Sequence, residues 1–210
     1  MKGLLIKDIH ILKSFIMYLA LMLGIGVVVE INSDFPFMIS YLTIVSMMIV
    51  INTMNYDEFN HGMAYLLTMP ITRKDYVKEK YLFGMILTSI MWLVAFIVSY
   101  MINDISVVYE FVGSAVLILL VEWMMMSVLI PTQIYFGQRK GNVAIVMVMV
   151  TLMVILFGGG YLMKLLGIDI INVLNSMQME FVLGIGILLF MVVMWISYRI
   201  SVLIITKKEY

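Results

Sequence analysis

The chain has no cysteine, which excludes disulfides, thiolate metal sites and cysteine nucleophiles. It is also poor in charge. Of 210 residues only 12% are Asp, Glu, Lys or Arg, against roughly 25% in a soluble domain. A soluble fold so short of charge could not cover itself in water. The phosphate-cradling pattern G-x-x-x-x-G-K-[ST] does not occur, so the chain is not itself an ATPase of that kind. No nucleophile–base constellation suggests an intramembrane enzyme. The opening MKGLLIKDIHILKS lacks the continuous apolar core and small-residue cleavage site of a removable signal peptide.

What fills the sequence instead is apolar: 64% hydrophobic residues and a mean hydropathy of +1.10. The expectation is an all-α integral membrane protein, a single transmembrane domain over 1–210. A bilayer core of about 30 Å takes about 20 apolar residues of helix. Six segments qualify, at about 14–31, 36–54, 81–102, 111–136, 143–163 and 181–206. Their polarity does not alternate as barrel strands require, and helices satisfy their own backbone inside lipid. The stretch 164–180 is too short to cross and return, and reads as an interfacial or shallow re-entrant helix.

With the N-terminus in the cytoplasm, every one of the 13 basic residues except Lys164 falls on the cytoplasmic side, as the positive-inside bias requires. Glu30, Asp34, Asp104, Glu110, Asp169 and Glu180 fall outside. Both termini are then cytoplasmic. A net charge of zero gives no nucleic-acid footprint.

One polar segment, 55–80, interrupts the apolar runs. Asp57 and Glu58 stand where acids favour a helix N-terminus. Apolar residues follow at Phe59, Met63, Leu66 and Leu67, the spacing of one helical face, with Asn60, His61 and Thr68 away from it. Pro70 stops the helix. Thr72 and Asp75 form a variant capping box that starts the next one. The result is an amphipathic helix about 18 Å long at 1.5 Å per residue, then a sharp corner, accessible from the cytoplasm. From these residues alone, a protein contact and a rest on lipid headgroups are equally open.

The run FNHGMAYLLTMPITRKDYVKEKY resembles the pattern of short ABC-2 type permeases, a Leu-Pro-Ile-Ser-Arg-like corner and a Val-x-x-Lys-Tyr-like entry between spans two and three. Leu67, Met69, Pro70, Ile71, Thr72, Arg73, Val77, Lys80 and Tyr81 match it, with Met69 and Thr72 replacing the commoner Leu and Ser. The two ends, MKGLLIKDIHILK and SYRISVLIITKKEY, resemble the family's ends. The resemblance implies an ABC-2, type V exporter-like permease fold of six transmembrane helices. Its coupling helix would seat on a separate cytoplasmic ATPase that holds ATP and Mg²⁺, this chain binding no cofactor. Contact residues would be Asp57, Glu58, Phe59, His61, Met63, Leu66, Leu67, Met69, Pro70, Ile71, Thr72 and Arg73. Arg139 and Lys140 form a candidate second contact, although the positive-inside bias alone accounts for them.

The resemblance further implies a bacterial cell-membrane complex with a second, identical or different, permease. Very short outer loops offer no dock for a receptor and favour export. Glu122 is the one acid deep in a span, where an ionisable group is a functional hypothesis by default. With Met124, Met125 and Met126 it marks a candidate path for hydrophobic or amphipathic peptide cargo, as in the exporters of phenol-soluble modulins and bacteriocins; ordinary packing is the competing account. An ion-coupled carrier and a non-transporting immunity or interaction protein are the alternative classes.

Overall fold

A computed structural model describes residues 2–32, 37–59, 62–68, 71–103, 108–165 and 179–208. Among these residues the chain is helical and forms no strand: α1 (Lys2–Ser14), α2 (Ile16–Ile31), α3 (Phe37–Glu58), α4 (Gly62–Thr68), α5 (Arg73–Ile102), α6 (Val108–Leu165) and α7 (Met179–Lys207). Four stretches are long and apolar enough to cross a membrane: Phe37–Glu58, Arg73–Ile102, Phe111–Gly137 and Phe181–Lys207. The pair Gly3–Ser14 and Ile16–Ile31, bent by 60°, makes a fifth if taken as one broken span. Expected spans two, three, four and six therefore have counterparts. Span one lies within α2, and 143–163 lies in the far limb of α6. Most of the stretch 164–180 lies outside the described residues.

Buried polar groups gather toward the helix ends. α6 is broken at Gly137, whose φ of 67° and ψ of −176° are open to glycine and costly for other residues; the chain turns back there. α3 is the central helix, buried on most sides, whereas α7 leaves most of its length exposed. The main core joins Val45, Ile49, Val50 and Met54 of α3 to Val77, Phe83 and Leu87 of α5 and Leu129 and Ile130 of α6. Met38, Ile39, Leu42, Ala95 and Ala115 form a second cluster.

At the end away from most of the lysines and arginines, Glu30 is buried rather than solvated in a loop. Its carboxylate accepts from the Met38 backbone N–H (2.9 Å), the Ser99 hydroxyl (2.6 Å) and the Asn103 amide (2.9 Å). These donors replace water and pin α2, α3 and α5 together. At the basic end α1 bends 60° from α2 and turns Leu4 and Asp8 inward while Ile6 and Ile9 stay exposed. This is one inward face at helical spacing.

Candidate functional site

The polar segment assembles around the start of α5. Thr72 caps that helix: the Asp75 N–H donates to the Thr72 hydroxyl (3.1 Å), and the Thr72 N–H donates to the Asp75 carboxylate (3.4 Å). Two otherwise unpaired helix-terminal donors are satisfied reciprocally, so the helix start expected at Thr72 is present.

Asp57 and Glu58 differ from expectation. They end α3 rather than opening the short helix, which is only the seven residues of α4. A helix C-terminus disfavours acids, but cations from distant parts of the chain compensate. Asp57, 4% exposed, accepts from Lys80 at 2.7 Å and from the Tyr76 hydroxyl at 3.2 Å, and pairs closely with Lys7. Lys80 itself is 0% exposed. Its ammonium also reaches Asp8 of α1 at 2.5 Å and the Thr53 hydroxyl at 3.4 Å, and Lys7 lies 3.2 Å from Asp8. Glu79, fully buried beside them, is 3.8 Å from Lys80. Lys80 thus ties α5 to α1 and α3, a role that charge counting along the sequence does not disclose.

The neighbouring Tyr81 ties α5 to α7. Its hydroxyl shares hydrogen bonds with Ser197 (2.5 Å) and Ser201 (2.9 Å), and Ser197 donates to the backbone carbonyl of Ser127 in α6. Val77, Lys80 and Tyr81 are all buried, so the Val-x-x-Lys-Tyr pattern marks the anchoring face of α5. Sequence reasoning missed Asp8, Thr53, Tyr76, Ser197 and Ser201. The one available signal was the i, i+4 pair of serines within an apolar run.

Arg73 also turns inward. Its guanidinium donates to the backbone carbonyls of Ile205 (2.8 Å), Thr206 (2.9 Å) and Lys208 (2.9 Å), a cation on the unpaired carbonyls of the α7 C-terminus. Lys208 in turn donates to the Ile134 carbonyl (2.9 Å) and lies 3.2 Å from Glu58. The Glu58 carboxylate rests against the α6 break: Oε2 is 2.5 Å from where a Cβ on Gly137 would stand. The corner, the break and the end of α7 form one connected network.

α4 folds back close to α3, with the Asp57 carbonyl 2.7 Å from where a Gly62 Cβ would lie. Met63 is buried and Leu66 half-buried against the core. Phe59 and Tyr65 are 56% and 68% exposed, and Tyr56 is exposed beside them. Ile71 is half-buried and Thr72 exposed. His61, Met69 and Pro70, with the side chains of Leu67 and Arg139, lie outside the described residues. Lys140 is exposed. Of the expected contact residues, the structure therefore brings Phe59 and Thr72 to the surface and commits Asp57, Glu58, Met63 and Arg73 to internal contacts.

Glu122 lies at mid-span, 7% exposed. Its Oε2 has no hydrogen-bond partner among the described residues. Of the adjoining methionines, Met124 and Met125 are half-buried. Met126 packs into the core with its sulfur 2.4 Å from where a Gly84 Cβ would stand, between α5 and α6.

Long apolar helices, knotted at one end by buried ion pairs, define a multi-pass α-helical membrane protein. The sequence pattern of the family described as ABC-2 family transporter protein matches residues 3–206, and the chain belongs to that family. Such permeases are the membrane component of ABC transporters, not the ATPase, and normally work with an ABC ATPase partner. No curated protein and no solved structure matches the chain.

Proposed function

We propose that this chain is the permease subunit of an ABC exporter in a bacterial cell membrane. It has six spans and cytoplasmic termini, pairs with a second permease copy and is driven by separate subunits that bind and hydrolyse ATP with Mg²⁺. The observation that carries the proposal is the join between an exposed aromatic surface and a buried network. Phe59 and Tyr65 stand exposed around α4, and the corner that follows α4 is bonded through Arg73 to α7 and through Lys80 to α1 and α3. A push on this surface reaches four helices through short, charged contacts, which is what a coupling helix requires. Aromatic side chains are also the anchors that protein interfaces favour.

The cargo that fits is a small hydrophobic or amphipathic peptide. Glu122 supports this, as a buried carboxyl with one unpaired oxygen that can take a cationic group or a proton. The test is co-purification from cells expressing this chain with its ATPase. The native chain retains the ATPase; Phe59→Asp with Tyr65→Asp releases it while the permease keeps its detergent melting point. Equal retention by both overturns α4 as the contact, and no retention by either overturns the ATP-driven reading.

A further inference from the structure

Three adjoining cavities lie where the two limbs of α6 meet α7. The largest, about 480 Å³, is walled by Pro131, Thr132 and Tyr135 of the first limb, Val148 of the second, and Ile196 and Ile200 of α7. It shares Tyr135, Ile200 and Ile204 with a cavity of about 330 Å³ that ends at Lys207 and Lys208. It shares Phe136 and Val148 with another of about 350 Å³ that includes Lys140. Together they form a groove that is apolar along the span and basic at its end.

The Thr132, Ser127 and Ser197 hydroxyls along it are already satisfied. The Thr132 hydroxyl donates to the Val128 carbonyl at 2.6 Å, Ser127 donates to Met124 at 2.6 Å, and Ser197 donates to the Ser127 carbonyl. The walls therefore favour hydrocarbon over water. At the basic end Lys208 is held by Glu58 and Ile134, whereas Lys207 and Lys140 are exposed.

We propose that this groove holds an anionic phospholipid, an acyl chain along Ile196, Ile200 and Ile204 and the phosphate against Lys207 and Lys140. Charge selects this occupant over a second copy of the chain. A copy related by a two-fold axis along the membrane normal would set Lys207 and Lys140 against their own counterparts, and no carboxylate lines any of the three cavities among the described residues. An anionic headgroup meets both lysines at the level where basic residues act on lipid. The site rests on membrane embedding alone, so it stands or falls separately from the export reading.

The experiment is native mass spectrometry of the full chain taken from bilayers containing equal phosphatidylglycerol and phosphatidylcholine. The native chain keeps phosphatidylglycerol preferentially. Lys140→Gln with Lys207→Gln lowers that preference by about fivefold per lysine, and Ile200→Trp or, independently, Val193→Phe reduces retention of both lipids. Equal retention by the native chain, or a preference that survives the lysine changes, overturns the proposal. So does displacement of the lipid by glycerol 3-phosphate, which has the anion without the chain. Efficient disulfide linking of two copies through Ile200→Cys assigns the groove to a second copy and overturns it equally.

Discussion

Lys80 of α5 and Asp8 of α1 meet at 2.5 Å with both side chains wholly buried, 72 residues apart in sequence. Two charges without water cost several kcal/mol each unless paired and hydrogen-bonded. Here Asp57, Thr53 and Lys7 complete the set. The amphipathic α1 is thereby held against the start of α5 beside the polar corner.

Removing Lys80 leaves buried Asp8 and Asp57 with only the half-buried Lys7, and takes from buried Glu79 the cation 3.8 Å away. Lys80→Met is expected to destabilise the fold by about 3–5 kcal/mol, read as a large drop in the detergent melting temperature. Adding Asp8→Leu, Asp57→Leu and Glu79→Gln recovers much of the loss, because no buried carboxylate then remains without a cation and half-buried Lys7 can turn to solvent.

Arg73 donates to three backbone carbonyls at the end of α7, so its loss loosens α7. Arg73→Ala is expected to cost about 1.5–3 kcal/mol. In the proposed complex it separates binding from work: the ATPase still co-purifies, while transport per ATP hydrolysed falls several-fold. Parallel measurement of retention, hydrolysis and transport checks this.

Gly137→Ala meets two obstacles, a positive φ and the Glu58 carboxylate 2.5 Å from the new methyl. About 1–3 kcal/mol comes from the backbone alone. Glu58→Ala in the same chain removes the collision and leaves the backbone cost, so melting of the double variant should fall between Gly137→Ala and the native chain once the loss from Glu58→Ala alone is subtracted.

Tyr81 joins α5 to α7 through two serine hydroxyls. Hydrogen bonds between membrane helices average about 0.6 kcal/mol in double-mutant cycles. A cycle of Tyr81→Phe and Ser201→Ala should return coupling of about that size, and a cycle of Tyr81→Phe with the remote Ser114→Ala none.

The sequence disclosed those parts of the fold whose causes are local. Hydropathy over about 20 residues located α3, the later part of α5, the first limb of α6 and α7, and the Thr72–Asp75 cap was legible because it spans four residues. Asp57 and Glu58 were misplaced because their partners are remote. Lys7 lies 50 residues from Asp57 and Lys208 lies 150 from Glu58, and these pairs outweigh the local dipole preference. Arg73 read as a surface charge for the same reason, its acceptors lying more than 130 residues away. The spacing of Leu4 and Asp8 on one face of α1 was present in the sequence, but nothing nearby tells whether an Asp on that face is solvated or paired.

The chain's lack of cysteine makes the central claim directly measurable. A single Phe59→Cys or Tyr65→Cys is introduced at the exposed surface around α4, and Val150→Cys in the second limb of α6 serves as control. Each is treated with a short thiol-to-amine cross-linker in cells making the ATPase subunit. If α4 is the coupling helix, Phe59→Cys and Tyr65→Cys give permease–ATPase adducts and Val150→Cys gives none. Adducts of equal yield at all three positions, or none at Phe59 and Tyr65 while the ATPase co-purifies, would contradict it.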